Sequence, residues 1–383
     1  MWFILLTTLA WAIPESHIVG GIPAEEGAWP DTVSVLRQGN MHCTGVVIDP
    51  YWVLTAGHCS NMSETIRYGS VYSDEGGAVL DIVETIEYPD NADVFDIQLH
   101  RLQVPVAPPT HPPALGCIAD NGLKDGATVT LVGFGATSTA GGFTTSYLRQ
   151  AAVPIVDGVC LSFDKDCHPD AAPHGEFIAG GDGVDTCDGD SGGPVYSEVG
   201  GQTYVLGVTS RAVRPSKTDC GEGGIYVQLD AVAPWIAVQT GVVFETPDCD
   251  MLGLNRRPRP ENIDYEGVLG HSIRGKILPG DGEPEQIHTF EVLTPPQHGT
   301  LELKTQGRFV YRPNEVQTDE DTPQQDVWWV RVTDSGAPSL SGFAKVTLRF
   351  KEAQGMCAVG ATQPVWWGGL ALILVKTRRR KYS

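Results

Sequence analysis

Residues 187–194 read Cys187-Asp188-Gly189-Asp190-Ser191-Gly192-Gly193-Pro194. A single serine stands among closely spaced glycines, and glycine permits tight backbone paths that a Cβ would block. Such a path can aim the N–H groups of Gly189 and Ser191 at a developing oxyanion. A serine hydroxyl is a poor nucleophile at neutral pH, however, and needs a neighbouring base to take its proton.

Upstream, Leu54-Thr55-Ala56-Gly57-His58-Cys59 supplies an imidazole. Asp93-Val94-Phe95-Asp96-Ile97-Gln98-Leu99 supplies Asp96, a carboxylate flanked by apolar residues and suited to holding a buried imidazolium. Taken singly, a histidine beside a cysteine or an aspartate before isoleucine reads as an ordinary structural residue. The order His, Asp, Ser differs from the subtilisin and α/β-hydrolase orders.

The bulk composition agrees with an exported, folded chain. At 383 residues it has room for two domains. Forty-five glycines and 27 prolines suit short strands joined by tight turns. The net charge of −21, with 26 Lys and Arg against 47 Asp and Glu, argues against nucleic acid as a partner. Nine cysteines occur and none forms a CxxC pair, so zinc-ribbon and thioredoxin chemistry has no support. Eight of them precede residue 250, which reads as four disulfides in an oxidising compartment, with Cys357 left apart.

The apolar run from Met1 ends at Ala10-Trp11-Ala12, a small-x-small site, so residues 1–12 are read as a signal peptide, although no Lys or Arg precedes the run. Between residues 18 and 245, runs such as 32–36, 45–48, 127–133 and 204–208 alternate with Gly, Pro, Asn and Asp, the pattern of an all-β sandwich or barrel. The best helix candidate is Asp230 to Gln239, with Asp230 as cap and Trp235 and Ile236 packing inward.

Together, Ile18-Val19-Gly20-Gly21, the Thr55 to Cys59 block, Asp96-Ile97 and Gly189 to Pro194 make residues 18 to about 245 resemble the trypsin-like, chymotrypsin-fold serine endopeptidases. The resemblance implies two six-stranded antiparallel β-barrels with a cleft between them, in a protease domain set at 18–250. It implies Ser191 as nucleophile, His58 as proton shuttle, Asp96 as its orienter, and Gly189 and Ser191 as the oxyanion hole. Ser210 matches the serine whose strand pairs with substrate, and Asp185 matches the base of the primary specificity pocket, implying cleavage after Arg or Lys. Gly224 matches the glycine that keeps this pocket open, while Ala212 stands where trypsins have glycine and Arg211 where the family has tryptophan. Arg211, Arg214 or Lys217 could fold back and neutralise Asp185. No cofactor or metal is implied.

The same resemblance implies that Ile18, once freed, pairs its α-amino group with Asp190, leaving residues 13–17 as a short propeptide. Cleavage there follows His17, which a protease selective for Arg or Lys would not cut, so an external activating protease is expected. It further implies the disulfides Cys43 with Cys59 and Cys187 with Cys220. Cys117 with Cys249 and Cys160 with Cys167 follow as hypotheses, Ile178 standing where many relatives place a cysteine.

After a proline-rich stretch, 251–262, read as an extended spacer, strand-like runs resume at 288–293, 300–304, 309–312, 327–333 and 345–350. Pro295 to Leu301, Phe309 to Asn314 and Val330 to Asp334 resemble bacterial cadherin-like or Ig-like modules, implying a small β-sandwich over 263–350 that acts as spacer or adhesion module. Asp319, Asp321, Asp326 and Asp334 are candidate Ca²⁺ ligands, but acidic loops are more often only solvated. Cys357 to Val375 carries no charge and runs into Lys376 and Arg378 to Lys381. Such a span, roughly 28 Å as a helix, predicts a C-terminal transmembrane helix. The tail, 357–383, resembles myxobacterial C-terminal sorting tags, implying membrane or cell-surface anchoring with processing near Cys357. The reading of another class is an inactive protease homologue that serves as a surface binding protein.

Overall fold

The computed structural model describes residues 18–89, 94–140, 146–168, 171, 174–268, 270–280, 285–314 and 325–351. It divides into two compact units, one ending at Pro247 and the other beginning at Asp248. The expected leader, propeptide and apolar tail lie outside the described residues, among which no helix is long and apolar enough to cross a membrane.

The first unit is all-β with two barrels. A short strand β1 (Ile22–Pro23) is followed by β2 (Thr32–Arg37), β3 (Asn40–Asp49), β4 (Trp52–Thr55), β5 (Thr65–Tyr68), β6 (Ala78–Glu87) and β7 (Gln98–Leu102). Strands β2-β3-β4-β7-β6-β5 close into an antiparallel barrel. Its interior is filled by Val33, Val35, Val47, Val53, Ile66 and Leu102. The second barrel uses β8 (Thr128–Gly133), β9 (Arg149–Asp157), β10 (Glu176–Ala179), β11 (Pro194–Val199), β12 (Gln202–Ala212) and β13 (Gly224–Gln228). It closes through β8–β9 and β8–β11, with β1 added on the outside of β9. Burial along β9 alternates residue by residue, the period of a strand with one face in a core.

A shared apolar cluster joins the barrels: Val46, Leu54 and Leu99 from the first meet Val132, Tyr196, Val208 and Val227 from the second. After a short α1 (Cys117–Gly122), helix α2 (Leu229–Thr240) packs Val232 and Ile236 into this cluster, and Trp235 lies against the Tyr88 ring at 5.0 Å. The helix forms where the sequence places it, but Asp230 is not its cap. Gln228 occupies that position, and the Asp230 carboxylate instead accepts the Gly116 N–H at 2.9 Å.

The second unit opens with α3 (Cys249–Leu252), capped by Asp248, which accepts the Met251 N–H at 3.0 Å. Seven strands follow: β14 (Ile263–Val268), β15 (Ile273–Lys276), β16 (Thr289–Thr294), β17 (Gly299–Leu303), β18 (Arg308–Pro313), β19 (Gln325–Thr333) and β20 (Ser341–Lys351). They form a four-stranded sheet, β14-β20-β19-β16, and a three-stranded sheet, β15-β18-β17. One core serves both, with Tyr311 stacked on Trp328 at 5.4 Å. Strand β14 runs parallel to β20, its partner some eighty positions on.

One expectation is corrected here. The stretch 251–262 is not a free spacer: Asn255, Arg257, Pro258 and Pro260 are buried, and Asn255 Nδ2 donates to Asp334 Oδ2 at 2.9 Å. Of the calcium candidates, Asp319 and Asp321 lie outside the described residues. Asp326 accepts N–H groups of Gln297, His298 and Val327 and the Tyr311 hydroxyl, while Asp334 accepts Gly336, Leu340 and Asn255. These buried carboxylates accept four and three protein donors and act as loop anchors.

Candidate active site

His58 enters at the end of β4 on a 3₁₀ turn, and Asp96 precedes β7, so the β4–β7 pairing of Thr55 with Gln98 brings the two loops together. Asp96 meets His58 twice: Oδ1 accepts the His58 backbone N–H at 2.8 Å and Oδ2 faces Nδ1 at 2.7 Å. On the other side of the ring, Nε2 lies 2.8 Å from Ser191 Oγ. Ser191 comes from the loop before β11, so the two barrels contribute the three groups separately.

Further bonds fix this junction. Thr44 N–H donates to Ser191 O at 2.9 Å, Thr44 Oγ1 to Gly189 O at 2.8 Å, and Thr55 Oγ1 to Thr44 O at 2.7 Å. These two threonines were not singled out in the sequence, where each is one more β-branched residue in a strand. Gly189 has φ +94°, a conformation that favours glycine. Among the described residues neither the Gly189 nor the Ser191 N–H has a protein acceptor.

Burial disfavours a charged His58, yet the hydrogen bond and charge of Asp96 outweigh it and raise the imidazole pKa above 6.5. Burial likewise opposes the Asp96 anion, but His58 and the Ser210 hydroxyl lower its pKa overall. Ser210 Oγ donates to Asp96 Oδ2 at 2.8 Å from a bulge in β12, where pairing with β13 skips from Thr209 to Arg211.

Asp190, beside Ser191, is fully buried. Its oxygens accept Gly135 N–H at 2.7 Å and Cys187 N–H at 2.9 Å. Burial still pushes its pKa up to about 7, with the charges of Asp185 and Asp188 adding to the effect. Ile18 is also fully buried, and Val19 bridges to Asp185 with the Asp185 N–H donating to Val19 O at 3.0 Å.

Asp185 is buried as well, and burial moves its pKa up to about 6. It accepts the N–H groups of Thr186 at 2.8 Å, Gly223 at 3.1 Å and Gly221 at 3.2 Å, with the Tyr226 hydroxyl at 3.4 Å. A Cβ on Gly224 would lie 2.7 Å from that hydroxyl and 3.1 Å from Asp185 Oδ1. The possible fold-back of a cation onto Asp185 does not occur among the described residues. Arg211 pairs with Glu176 at 2.6 Å, Arg214 Nη1 donates to Ser216 Oγ at 3.3 Å, and Lys217 contributes its backbone N–H to Glu222. His58, Ser191, Ser210, Arg211 and Ala212 line one open cleft of about 850 Å³.

Disulfides Cys43–Cys59, Cys160–Cys167 and Cys187–Cys220 are present, with Cα separations of 6.3, 5.4 and 5.4 Å. Cys117 and Cys249 are also disulfide-bonded. Ile178 packs against Cys160 and Cys167 in a small apolar cluster.

Two closed barrels with a histidine, an aspartate and a serine joined across their junction define the chymotrypsin fold. The family model for trypsin matches residues 18–236, and the chain belongs to the trypsin family of serine proteases. It is 31% identical over 247 residues to mouse transmembrane protease serine 11E, a match covering 59% of this chain and 55% of that protein. It is 30% identical over 244 residues to human chymotrypsin-like elastase family member 1, covering 58% of this chain and 93% of that protein. Thus the match spans about half of the mouse protein and nearly all of the human one.

Proposed function

We propose that this chain is an exported serine endopeptidase, anchored at a membrane or cell surface by its C-terminal segment. The observation that carries the catalytic reading is the line Ser191 Oγ, His58 Nε2, His58 Nδ1, Asp96 Oδ2, with contacts of 2.8 and 2.7 Å. In the proposed reaction His58 Nε2 takes the Ser191 proton as Oγ attacks the peptide carbonyl carbon. Asp96 holds the ring and stabilises its positive charge. The carbonyl oxygen becomes an oxyanion held by the Gly189 and Ser191 N–H groups. His58 then protonates the leaving amine, and water reverses the sequence on the acyl-enzyme.

Asp185 supports a preference for Arg or Lys at the residue donating the scissile carbonyl. A buried carboxylate with a raised pKa gains most from an arriving cation, and Gly224 leaves room beside it. Activation follows the same logic at Asp190: the α-amino group of Ile18, freed by another protease cutting after His17, supplies the missing cation. The second unit, with its two packed sheets, acts in this reading as an Ig-like or cadherin-like spacer or adhesion module.

The test is labelling with a fluorophosphonate probe after exposure of Ile18 by limited proteolysis. Wild type should be labelled and Ser191→Ala should not. An unlabelled wild type with a correctly exposed Ile18 would sink the enzyme reading in favour of an inactive surface-binding homologue.

A further inference from the structure

Arg211 is the cleft residue least explained by the reaction above. Four of its five N–H groups donate to protein acceptors, and the fifth lies near a carboxylate. Nη1 donates to Glu176 Oε1 at 2.6 Å and to Ser210 Oγ at 3.3 Å; Nη2 donates to Asp166 O at 2.7 Å and Glu176 Oε2 at 3.1 Å. Nε faces Asp166 Oδ2 at 3.7 Å. Glu176 is 1% exposed and also accepts the His168 N–H at 2.9 Å, so the fork is held by a fixed carboxylate. A guanidinium with both Nη groups engaged by protein acceptors is a poor receptor for a substrate anion.

What it touches points to another role. Ser210 has one hydroxyl proton. With a permanent cation donating to its oxygen from Arg211, that proton is directed away, and the acceptor in line is Asp96 Oδ2 at 2.8 Å. The same Asp96 oxygen takes His58 Nδ1 at 2.7 Å. We propose that Arg211 is a positioning residue: braced by Glu176, it locks the Ser210 hydroxyl as a donor to Asp96 and so tunes how strongly Asp96 holds His58.

The sign follows from the bonds. A freely rotating Ser210 leaves Asp96 Oδ2 with one fewer donor, hence more negative toward the ring, and the His58 imidazolium becomes more stable. Other charged or titratable groups around the couple are Asp166 within and His168 just after the Cys160–Cys167 loop, Glu176 on β10, His42 on β3, and Asp188 and Asp190 before β11. A variant that alters net charge would mix their fields with the effect through Ser210. Glu176→Gln with Arg211→Met removes one charge of each sign and leaves neither partner buried and orphaned.

The experiment is an NMR titration of the His58 ring in the full chain, which needs no turnover and so does not depend on the proposed reaction. The paired Glu176→Gln, Arg211→Met variant should raise the His58 pKa by roughly half a unit, as should Ser210→Ala. Adding Ser210→Ala to the paired variant should move it no further than Ser210→Ala alone. No shift in the paired variant, or shifts that add in full, would overturn the proposal. Should the paired variant fail to fold, Arg211→Lys replaces it in the same cycle, keeping a cation on Glu176 while losing the fork that reaches Ser210. The acidic limb of kcat/KM should follow the ring; a ring shift without a limb shift counts against His58 as general base, not against Arg211.

Discussion

Asp96 holds His58 at two points, through the backbone N–H at 2.8 Å and through Nδ1 at 2.7 Å. The first bond fixes where the histidine sits; the second fixes which ring nitrogen carries the proton, leaving Nε2 free to face Ser191. In Asp96→Asn the amide oxygen can keep one of these bonds, but the ring loses its charge partner. The expected result is a fall in kcat of roughly 10⁴-fold with KM little changed, measured by steady-state hydrolysis of a peptide substrate.

The pH profile should carry the same imprint. Asp96 raises the His58 pKa above 6.5, and the ring acts as a base only when neutral. Activity therefore rises with pH through a midpoint above 6.5, and falls as the ring is protonated below it. A kcat/KM profile with its acidic midpoint below 6.5 would contradict this electrostatic balance.

Asp185→Ser tests the specificity reading. Removing the carboxylate leaves an arriving Arg or Lys unpaired in a buried pocket, at a cost of about 3 kcal/mol or more. For such peptides kcat/KM should drop at least about 100-fold, with little loss for small apolar side chains. A cleavage profile of a peptide library that is unchanged by the substitution would remove Asp185 from the pocket.

Gly135 and Gly133 leave the space that Asp190 fills, and a Cβ on either would overlap its carboxylate. Gly135→Ala should destabilise the first unit by about 3 kcal/mol, since a buried side chain with fixed backbone donors cannot move aside. Denaturant midpoints compared with wild type would show it, and the labelling of Ser191 should weaken in parallel.

His100 predicts acid sensitivity of the first barrel. It is fully buried, bonded at Nδ1 to Thr85 Oγ1 at 2.9 Å, and burial, with the charge of His42 adding, lowers its pKa to about 4. The unfolded chain binds this proton near pH 6.5, so between about 6.5 and 4 protonation favours unfolding. Stability should fall by about 3 kcal/mol as pH drops through that window. His100→Gln should flatten the slope of denaturant midpoint against pH.

Much of the site was legible because its chemistry depends on residue types at short range. The glycines around Ser191, the His58-Cys59 pair and the apolar flanks of Asp96 are each local signals. Arg211 was visible as a departure from tryptophan, but its meaning was not: Glu176 lies thirty-five positions away, and Asp166 forty-five. Thr44 and Thr55 were hidden for the same reason. The polar, proline-rich stretch 251–262 misled because Asn255 and Arg257, both buried, find partners in Asp334 and Ser341, roughly eighty residues on.

By itself, then, the sequence determined the elements and the candidate chemistry, because strand alternation, turn glycines and a nucleophile's neighbours are set within a few residues. Only the tertiary structure decided which charges are paired, since burial and hydrogen bonding across barrels depend on contacts no local pattern encodes. It put Arg211 on Glu176 and not on Asp185, and gave Asp326 and Asp334 to loop amides. It left Asp190 as a buried carboxylate held by two backbone N–H groups.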